Sequence, residues 1–208
     1  MFLCRADQAL SKGGIEIEDM RFHQCVRLGR FDKDRAITFI PPDGAFELMT
    51  YRVSEYLNFP FKILANVQES SLNKNRLGFN ISVKSSFDRN NYANKVAISI
   101  PLPSNVSHVF TSTISGRAKH EPENGGVVWR INKFPGQAEI TLRLDADLIV
   151  SNVQSQWVRP PISISFDVPM FTASGLRVRF LRIIDKTGYK ATKWIRYLTK
   201  SGTYEQKF

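Results

Sequence analysis

The sequence contains few of the groups on which catalysis and metal binding usually depend. Among its 208 residues are 2 cysteines and 3 histidines, and none of them stands in a CxxC or HExxH spacing. The glycine-rich GxxxxGK[ST] and GxGxxG loops that hold nucleotide phosphates are also missing. No residue therefore stands out as a catalytic candidate, and we predict a protein that is not an enzyme and needs neither a metal nor a cofactor.

Disulfide and membrane-spanning features are equally scarce. Cys4 and Cys25 lie in dissimilar contexts, which favours two free buried thiols over a disulfide framework or a zinc site. The apolar start of the chain is too short for a signal peptide, and no apolar run approaches the ~18 residues of a membrane-spanning helix. We expect a cytosolic protein that is at most peripheral to a membrane.

Negative charge is scarce, and positive charge is concentrated in the last two-thirds of the chain. There are 29 Lys and Arg against 19 Asp and Glu, a net charge of +10. Residues 1–58 hold 8 basic and 9 acidic residues, residues 59–159 hold 12 and 7, and residues 160–208 hold 9 and 3. This asymmetry points to an anionic partner, whether nucleic acid, acidic lipid headgroups or an acidic protein.

Alternation of apolar and polar residues with a period of two runs through most of the chain. It is clearest in residues 77–83, 96–100, 140–148 and 162–168. No stretch keeps a helical period for more than about two turns. Turns rich in proline and glycine separate the segments, and many short alternating strands predict an all-β sandwich fold.

Changes in charge, together with prolines, suggest two domain boundaries, near Phe59-Pro60 and near Pro160-Pro161. They predict one subdomain built from residues 1–58 and 160–208. Residues 59–159 would form a second subdomain inserted into the first.

The predicted C-terminal strands have Lys and Arg on their polar phase. In Leu176–Phe180 and Trp194–Tyr197, a period of two places apolar residues on one face and positive charge on the other. We interpret this as a recognition surface, although a solvated face that keeps a strand edge soluble explains the same charges. A second basic cluster surrounds a predicted turn and consists of Arg117, Lys119, Arg130 and Lys133.

A nucleic-acid-binding β protein is the alternative from a different class. The net charge of +10 would suit it. Binders of single strands also use exposed stacking aromatics, and most aromatics in this chain fall in the apolar phase of the predicted strands. We therefore do not expect nucleic acid to be a partner.

The sequence Pro41–Gly44 predicts a tight hairpin between residues 37–40 and 45–49. Proline presets φ, Asp43 caps the turn and Gly44 takes a positive φ.

The same stretch resembles a motif of the medium (mu) subunits of clathrin adaptor complexes. Phe22–Leu28 reads FHQCVRL and Phe39–Arg52 reads FIPPDGAFELMTYR, which match the family's FHQCV and FIPPDGxFELMxYR patterns almost position for position. Arg159–Ser163, Phe171–Leu181 and Lys193–Tyr197 also resemble the mu homology domain, in the same order. The chain is identified as a member of this family by several long motifs.

The resemblance implies two elongated β-sandwich subdomains, the second inserted into the first. It implies that the protein reads YxxΦ sorting signals, where Φ is a bulky hydrophobic residue, in the cytosolic tails of membrane cargo. The surface would also meet phosphoinositide lipids. Two large subunits and one small subunit of an adaptor complex would be its further partners.

The same resemblance assigns roles to single residues. The cargo peptide would add as an extended strand along the edge that bears Trp194 and Arg196, which would contact its tyrosine. Val178, Leu181 and Ile195 would line the Φ pocket. Lys193 and the turn with Arg117 and Lys119 would face the membrane. Arg130 and Lys133 belong to the same basic cluster of the sequence, and we assign them to the membrane-facing surface for that reason.

The resemblance fails over Met1–Gly14. Mu subunits have earlier strands that contribute a Phe, an Asp and a basic residue to the tyrosine pocket, and no version of them is recognisable here, nor is the longin domain. We therefore expect an N-terminally truncated mu subunit that binds YxxΦ peptides weakly and discriminates tyrosine from phenylalanine poorly.

Two adaptor complexes compete as the closest match. Gly116–Lys119 and Trp157–Ile162 resemble adaptor complex 2, which acts in endocytosis at clathrin-coated pits of the plasma membrane. Phe87–Arg89, Ala93–Val96 and Asp185–Tyr189 resemble adaptor complex 1 of the trans-Golgi network and endosomes. We favour adaptor complex 2.

Overall fold

The computed structural model describes residues 2–8, 17–31, 36–55, 57–69, 75–149, 157–184, 188 and 191–207. These residues contain sixteen β-strands and two 3-10 helices, Leu28–Arg30 and Pro122–Asn124, so the prediction of an all-β fold is confirmed. Of the segment Asp185–Tyr189 only Gly188 is described, and the side chain of Cys4 also lies outside the description. None of the helices among the described residues has the length and apolar character needed to span a bilayer.

The strands follow one another along the chain as β1 (Phe2–Gln8), β2 (Glu18–Phe22), β3 (Val26–Arg27), β4 (Ala36–Phe39), β5 (Met49–Arg52), β6 (Phe61–Glu69), β7 (Arg76–Ser85), β8 (Tyr92–Pro101), β9 (Val106–Thr113), β10 (Arg117–Glu121), β11 (Gly126–Pro135), β12 (Glu139–Leu148), β13 (Ile162–Pro169), β14 (Leu176–Ile183), β15 (Leu198–Lys200) and β16 (Glu205–Gln206).

The four alternating segments of the sequence form β7, β8, β12 and β13, and their apolar phase is buried. Phe79, Ile98, Leu144 and Ile162, one from each strand, have no solvent exposure. Successive side chains of a strand leave opposite faces of the sheet. The interpretation of these segments as strands with one face in the core is therefore confirmed.

One compact unit consists of Phe59–Phe171 and Leu198–Phe208. It contains a sheet in the order β10-β11-β8-β13-β15, to which β16 adds by pairing with β13, and a four-stranded sheet in the order β6-β7-β12-β9. The inner faces of both sheets supply its core, as in a β-sandwich. The ring of Phe61 packs edge-on against Phe87 and Phe134, with centroids 5.6 and 5.1 Å away.

The other unit consists of Met1–Asn58 and Thr172–Tyr197. Its sheet has the order β14-β1-β4-β3, and β2 pairs separately with β5. A small core of Phe31, Ile37 and Phe39 lies between them, joined by half-buried residues of both sheets.

The division into units differs from the expected one on its C-terminal side. One boundary lies between Asn58 and Phe59. Beyond Pro160-Pro161, however, β13 belongs to the Phe59–Phe171 unit, where it pairs with β8 and holds β15 and β16. The two prolines precede β13 and do not separate it from its partner strand β8. The chain leaves this unit only after Phe171 and returns to it at Leu198.

The turn at Pro41–Gly44 has the predicted backbone but does not close a hairpin. Gly44 has a φ of +81°, as its position predicts. The flanking strands lie in different sheets, because β4 pairs with β1 and β3 whereas β5 pairs with β2. Between the turn and β5, Phe46 and Leu48 pack against the Phe31, Ile37 and Phe39 core, so the chain crosses that core instead of folding back beside β4.

Candidate functional sites

A β-bulge in the edge strand β14 decides which of its side chains reach the core. In the pairing of β1 with β14, consecutive residues of β1 face Phe180 and Val178, so Arg179 is an extra residue. A bulge shifts the alternation of the strand by one position. As a result Val178 and Leu181, three residues apart, both pack against the core, while Phe180 is 38 % exposed. The expectation that Phe180 lies on the apolar face is therefore wrong.

The segment of residues 191–197 belongs to no strand, contrary to the prediction from its alternating residues. Side chains tie it to β14 instead. The hydroxyl of Tyr197 accepts a hydrogen bond from the backbone N of Val178 at 2.9 Å. The ammonium of Lys193 donates to the carbonyl oxygen of Leu181, also at 2.9 Å.

These two hydrogen bonds hold residues 191–197 beside β14, so the predicted peptide-contacting residues of the two segments are neighbours. Trp194 is 75 % exposed and Ile195 is 40 % exposed, and Arg196 is exposed as well. Within the described part of the chain, residues 191–197 make no backbone-to-backbone hydrogen bond. Their donors and acceptors are open to an added strand.

The family resemblance groups Lys193 with the membrane-facing residues, but its ammonium lies against β14 in the unit of Met1–Asn58 and Thr172–Tyr197. The four other members of that group lie on β10 and β11, which belong to the unit of Phe59–Phe171 and Leu198–Phe208. We therefore describe Lys193 as part of the edge formed by β14 and residues 191–197, which we call the peptide edge.

The hairpin of β10 and β11 forms a basic pocket. Arg117 lies opposite Arg130, and Lys119 opposite Val128. The pocket has a volume of about 550 Å³ and is lined by Gly116, Arg117, Lys119, Glu121, Arg130 and Asn132. Lys133 is exposed on β11 next to this set without lining it.

Glu121 is a carboxylate inside this basic pocket that sequence reasoning missed. It accepts two hydrogen bonds from Arg130, at 2.6 and 3.0 Å, and one from the side-chain amide of Asn124 at 2.7 Å. Hydrogen bonding to Arg130, and then to Asn124, lowers the pKa of Glu121 to about 2. The sequence could have indicated its position, because Arg117, Lys119 and Glu121 are spaced two residues apart on β10 and therefore lie on one face of the strand.

The turn before β10 is tightly held. Gly116 has a φ of +80°, and a Cβ there would lie 2.5 Å from the carbonyl oxygen of Arg130 and 2.6 Å from Cγ1 of Ile131. The indole Nε1 of Trp129 donates to the carbonyl oxygen of Ser115 at 2.9 Å. Both features fix the backbone that leads into Arg117.

His23 and Cys25 are joined by a hydrogen bond within one short segment. Nδ1 of His23 accepts a hydrogen bond from the backbone N of Cys25 at 3.2 Å. Cys25 is a free, half-buried thiol. In the described ranges, no three His, Cys, Asp or Glu side chains are grouped so that they could hold a metal ion.

The chain belongs to the adaptor complexes medium subunit family, whose sequence profile matches residues 3–208. The identification as a mu homology domain is therefore confirmed. Over 196 residues it is 48 % identical to AP-2 complex subunit mu of Dictyostelium discoideum, covering 93 % of this chain and 44 % of that protein. Over 193 residues it is 45 % identical to AP-1 complex subunit mu-1-I of Caenorhabditis elegans, covering 93 % and 45 %.

The chain thus spans about half the length of the curated relatives it matches. Its fold is similar to that of a solved structure, the Fcho1 mu homology domain of Danio rerio with a bound Eps15 peptide. The TM-score is 0.57 at 12 % identity, covering 87 % of this chain and 71 % of that one.

Proposed function

We propose that this chain is the cargo-recognition part of a clathrin adaptor complex and binds YxxΦ sorting signals at the peptide edge. The observation that supports this most is the segment of residues 191–197. It exposes Trp194 and Arg196, has no backbone pairing among the described residues, and is fixed to β14 by the side chains of Lys193 and Tyr197.

An extended peptide would add as a strand along this segment, so that backbone hydrogen bonds provide affinity and side-chain pockets provide specificity. The indole of Trp194 and the guanidinium of Arg196 offer a stacking surface to the tyrosine ring, worth about 0.5–1 kcal/mol at an exposed site. The Φ side chain would bury against Val178, Leu181 and Ile195, which contributes about 1.5–3 kcal/mol if burial is complete.

The double variant Trp194→Ala with Arg196→Ser tests the proposal by fluorescence anisotropy with a labelled YxxΦ peptide. We expect it to abolish binding. Phe110→Ala, which removes an exposed aromatic ring from β9 in the other unit, is the matched control and should bind like the parent. Peptide affinity that survives the double variant would exclude this edge as the cargo site.

We further propose that the basic pocket binds phosphoinositide headgroups. Each Lys or Arg near an anionic membrane surface contributes about 1 kcal/mol. Arg117→Glu with Lys119→Glu should therefore strongly reduce sedimentation with vesicles that contain phosphatidylinositol bisphosphate, and binding by the parent should weaken with salt.

The matched control is Lys62→Glu with Lys84→Glu. This pair faces each other on β6 and β7, is exposed, and changes the net charge by the same amount. If both double variants lose binding equally, net charge and not the pocket governs the interaction. A single-stranded oligonucleotide at equal salt should bind more weakly than the vesicles; the reverse order would favour a nucleic-acid-binding protein.

The full assembly would join this chain to two large subunits and one small subunit, peripheral to the membrane. We favour adaptor complex 2 in clathrin-coated pits. Adaptor complex 1 of the trans-Golgi network and endosomes is the second candidate, since the identities to relatives from the two complexes, 48 % and 45 %, are close. Co-precipitation with the large subunits of each complex distinguishes them.

A further inference from the structure

The most exposed of the large hydrophobic side chains described is Ile114, with 89 % of its surface in solvent. It lies in the turn between β9 and β10. A single exposed hydrophobic residue is common on protein surfaces and has no meaning alone. Two independent features of this turn indicate that the exposure of Ile114 has a function.

The first feature is that the turn is fixed on both sides of Ile114. The hydroxyl of Thr113 accepts a hydrogen bond from the backbone N of Ser115 at 3.3 Å and lies 3.0 Å from the carbonyl oxygen of Thr141. On the other side, the buried indole of Trp129 donates to the carbonyl oxygen of Ser115. Ile114 is therefore held in solvent by ordered backbone, and the entropy of ordering the turn is not lost again on binding.

The second feature is the neighbour of this turn. Gly116 and Arg117, two and three residues after Ile114, line the basic pocket. An apolar tip and a cationic pocket thus share one hairpin. Peripheral membrane proteins combine these two elements, because electrostatic attraction to anionic lipids adds to the burial of apolar area below the headgroups.

We propose that Ile114 inserts into the bilayer interface when the basic pocket meets anionic headgroups. This inference rests on the proposed phosphoinositide binding and makes it more specific. The proposed ligand of the hairpin is therefore a lipid surface. A soluble inositol phosphate has the same headgroup chemistry but no acyl region to receive Ile114.

The test compares Ile114→Ser with the parent in two assays. One measures partition onto phosphatidylcholine vesicles that contain phosphatidylinositol bisphosphate, and the other measures titration with soluble inositol trisphosphate. Burial of part of an isoleucine side chain corresponds to about a three- to tenfold change in partition. We expect that loss on vesicles and no change for inositol trisphosphate. Ile114→Trp should bind vesicles at least as well as the parent, since Trp favours the membrane interface.

Ile149→Ser is the matched control. Ile149 is 59 % exposed and follows the far end of β12, about 20–25 Å along the strand from the residue opposite Thr113. It should leave vesicle binding unchanged. Because Ile114 is exposed, Ile114→Ser should also keep the melting temperature of the parent.

The outcomes separate this inference from the proposal on which it rests. Vesicle binding by Ile114→Ser equal to the parent overturns the insertion of Ile114, and so does an equal loss of inositol trisphosphate affinity, which would place Ile114 in support of the pocket. If Arg117→Glu with Lys119→Glu also binds vesicles like the parent, the proposed phosphoinositide binding fails as well.

Discussion

Replacement of Gly116 by alanine should damage the hairpin that carries the basic pocket, and Gly125 provides a matched control in the same unit. Both glycines have a left-handed backbone, with φ of +80° and +72°. An L-residue in this conformation costs about 1–2 kcal/mol. Alanine also lowers the conformational entropy of the unfolded chain, which stabilises the folded state by about 0.4–1 kcal/mol in each case.

The two sites differ in the space around a new methyl group. At Gly125 no atom lies within 4 Å of the position that a Cβ would take, whereas at Gly116 the carbonyl oxygen of Arg130 would be 2.5 Å away. Forcing extra atoms into a packed site typically costs about 1–3 kcal/mol. The backbone and entropy effects cancel between the variants, so Gly116→Ala should be less stable than Gly125→Ala by about that amount.

Urea unfolding followed by tryptophan fluorescence measures this difference, because Trp129 is buried in the same unit and hydrogen-bonded to the turn. Thermal unfolding should give a midpoint several degrees lower for Gly116→Ala than for Gly125→Ala. Equal unfolding free energies for the two variants would refute the reasoning, since the close approach at Gly116 would then have no energetic consequence.

The turn at Gly44 and the carboxylate of Glu121 allow three further tests. Gly44→Val should destabilise the chain by about 1–3 kcal/mol through its positive φ, whereas Ala45→Glu should change the melting temperature little; equal midpoints for Gly44→Val and the parent would contradict the turn. Glu121→Gln should strengthen vesicle binding, because Arg130 loses a competing carboxylate; weaker binding would show that the carboxylate orders the pocket. Since the pKa of Glu121 is lowered to about 2, its stabilising effect is complete above about pH 4.5 and is lost as the pH falls through about 2. The melting-temperature difference between parent and Glu121→Gln should therefore be constant from pH 5 to 8 and vanish near pH 2; a difference that disappears by pH 4 would contradict the pair.

The sequence predicts β7, β8, β12 and β13 of the Phe59–Phe171 unit for a physical reason. One face of each strand meets the core between the two sheets, so apolar and polar residues alternate along it, whereas β11 buries Val127, Val128 and Trp129 in succession and shows no such alternation. Alternation does not predict which distant strands pair with each other. Alternation shows which face of β13 is buried but not that β8 is its partner, and the prolines before β13 suggest a boundary that the pairing overrides.

Alternation predicts a basic recognition surface at the peptide edge, but the roles of its single residues are predicted only through resemblance to a family. A period of two would place Val178 and Leu181 on opposite faces, and only the bulge at Arg179 puts both against the core. Likewise, the alternating residues of 194–197 predict a paired strand, but the segment is held by two side-chain hydrogen bonds, one donated by Lys193 and one accepted by Tyr197. Such hydrogen bonds have no period in the sequence.

Hydrogen–deuterium exchange with and without a YxxΦ peptide tests the central claim most directly. The backbone amides of residues 191–197 have no backbone partner among the described residues, so they should exchange fast in the free chain and become protected when a peptide adds as a strand. A peptide with alanine in place of both the tyrosine and Φ should give no protection. Absence of protection at 191–197 with a saturating YxxΦ peptide, or protection confined to another segment, would contradict the account.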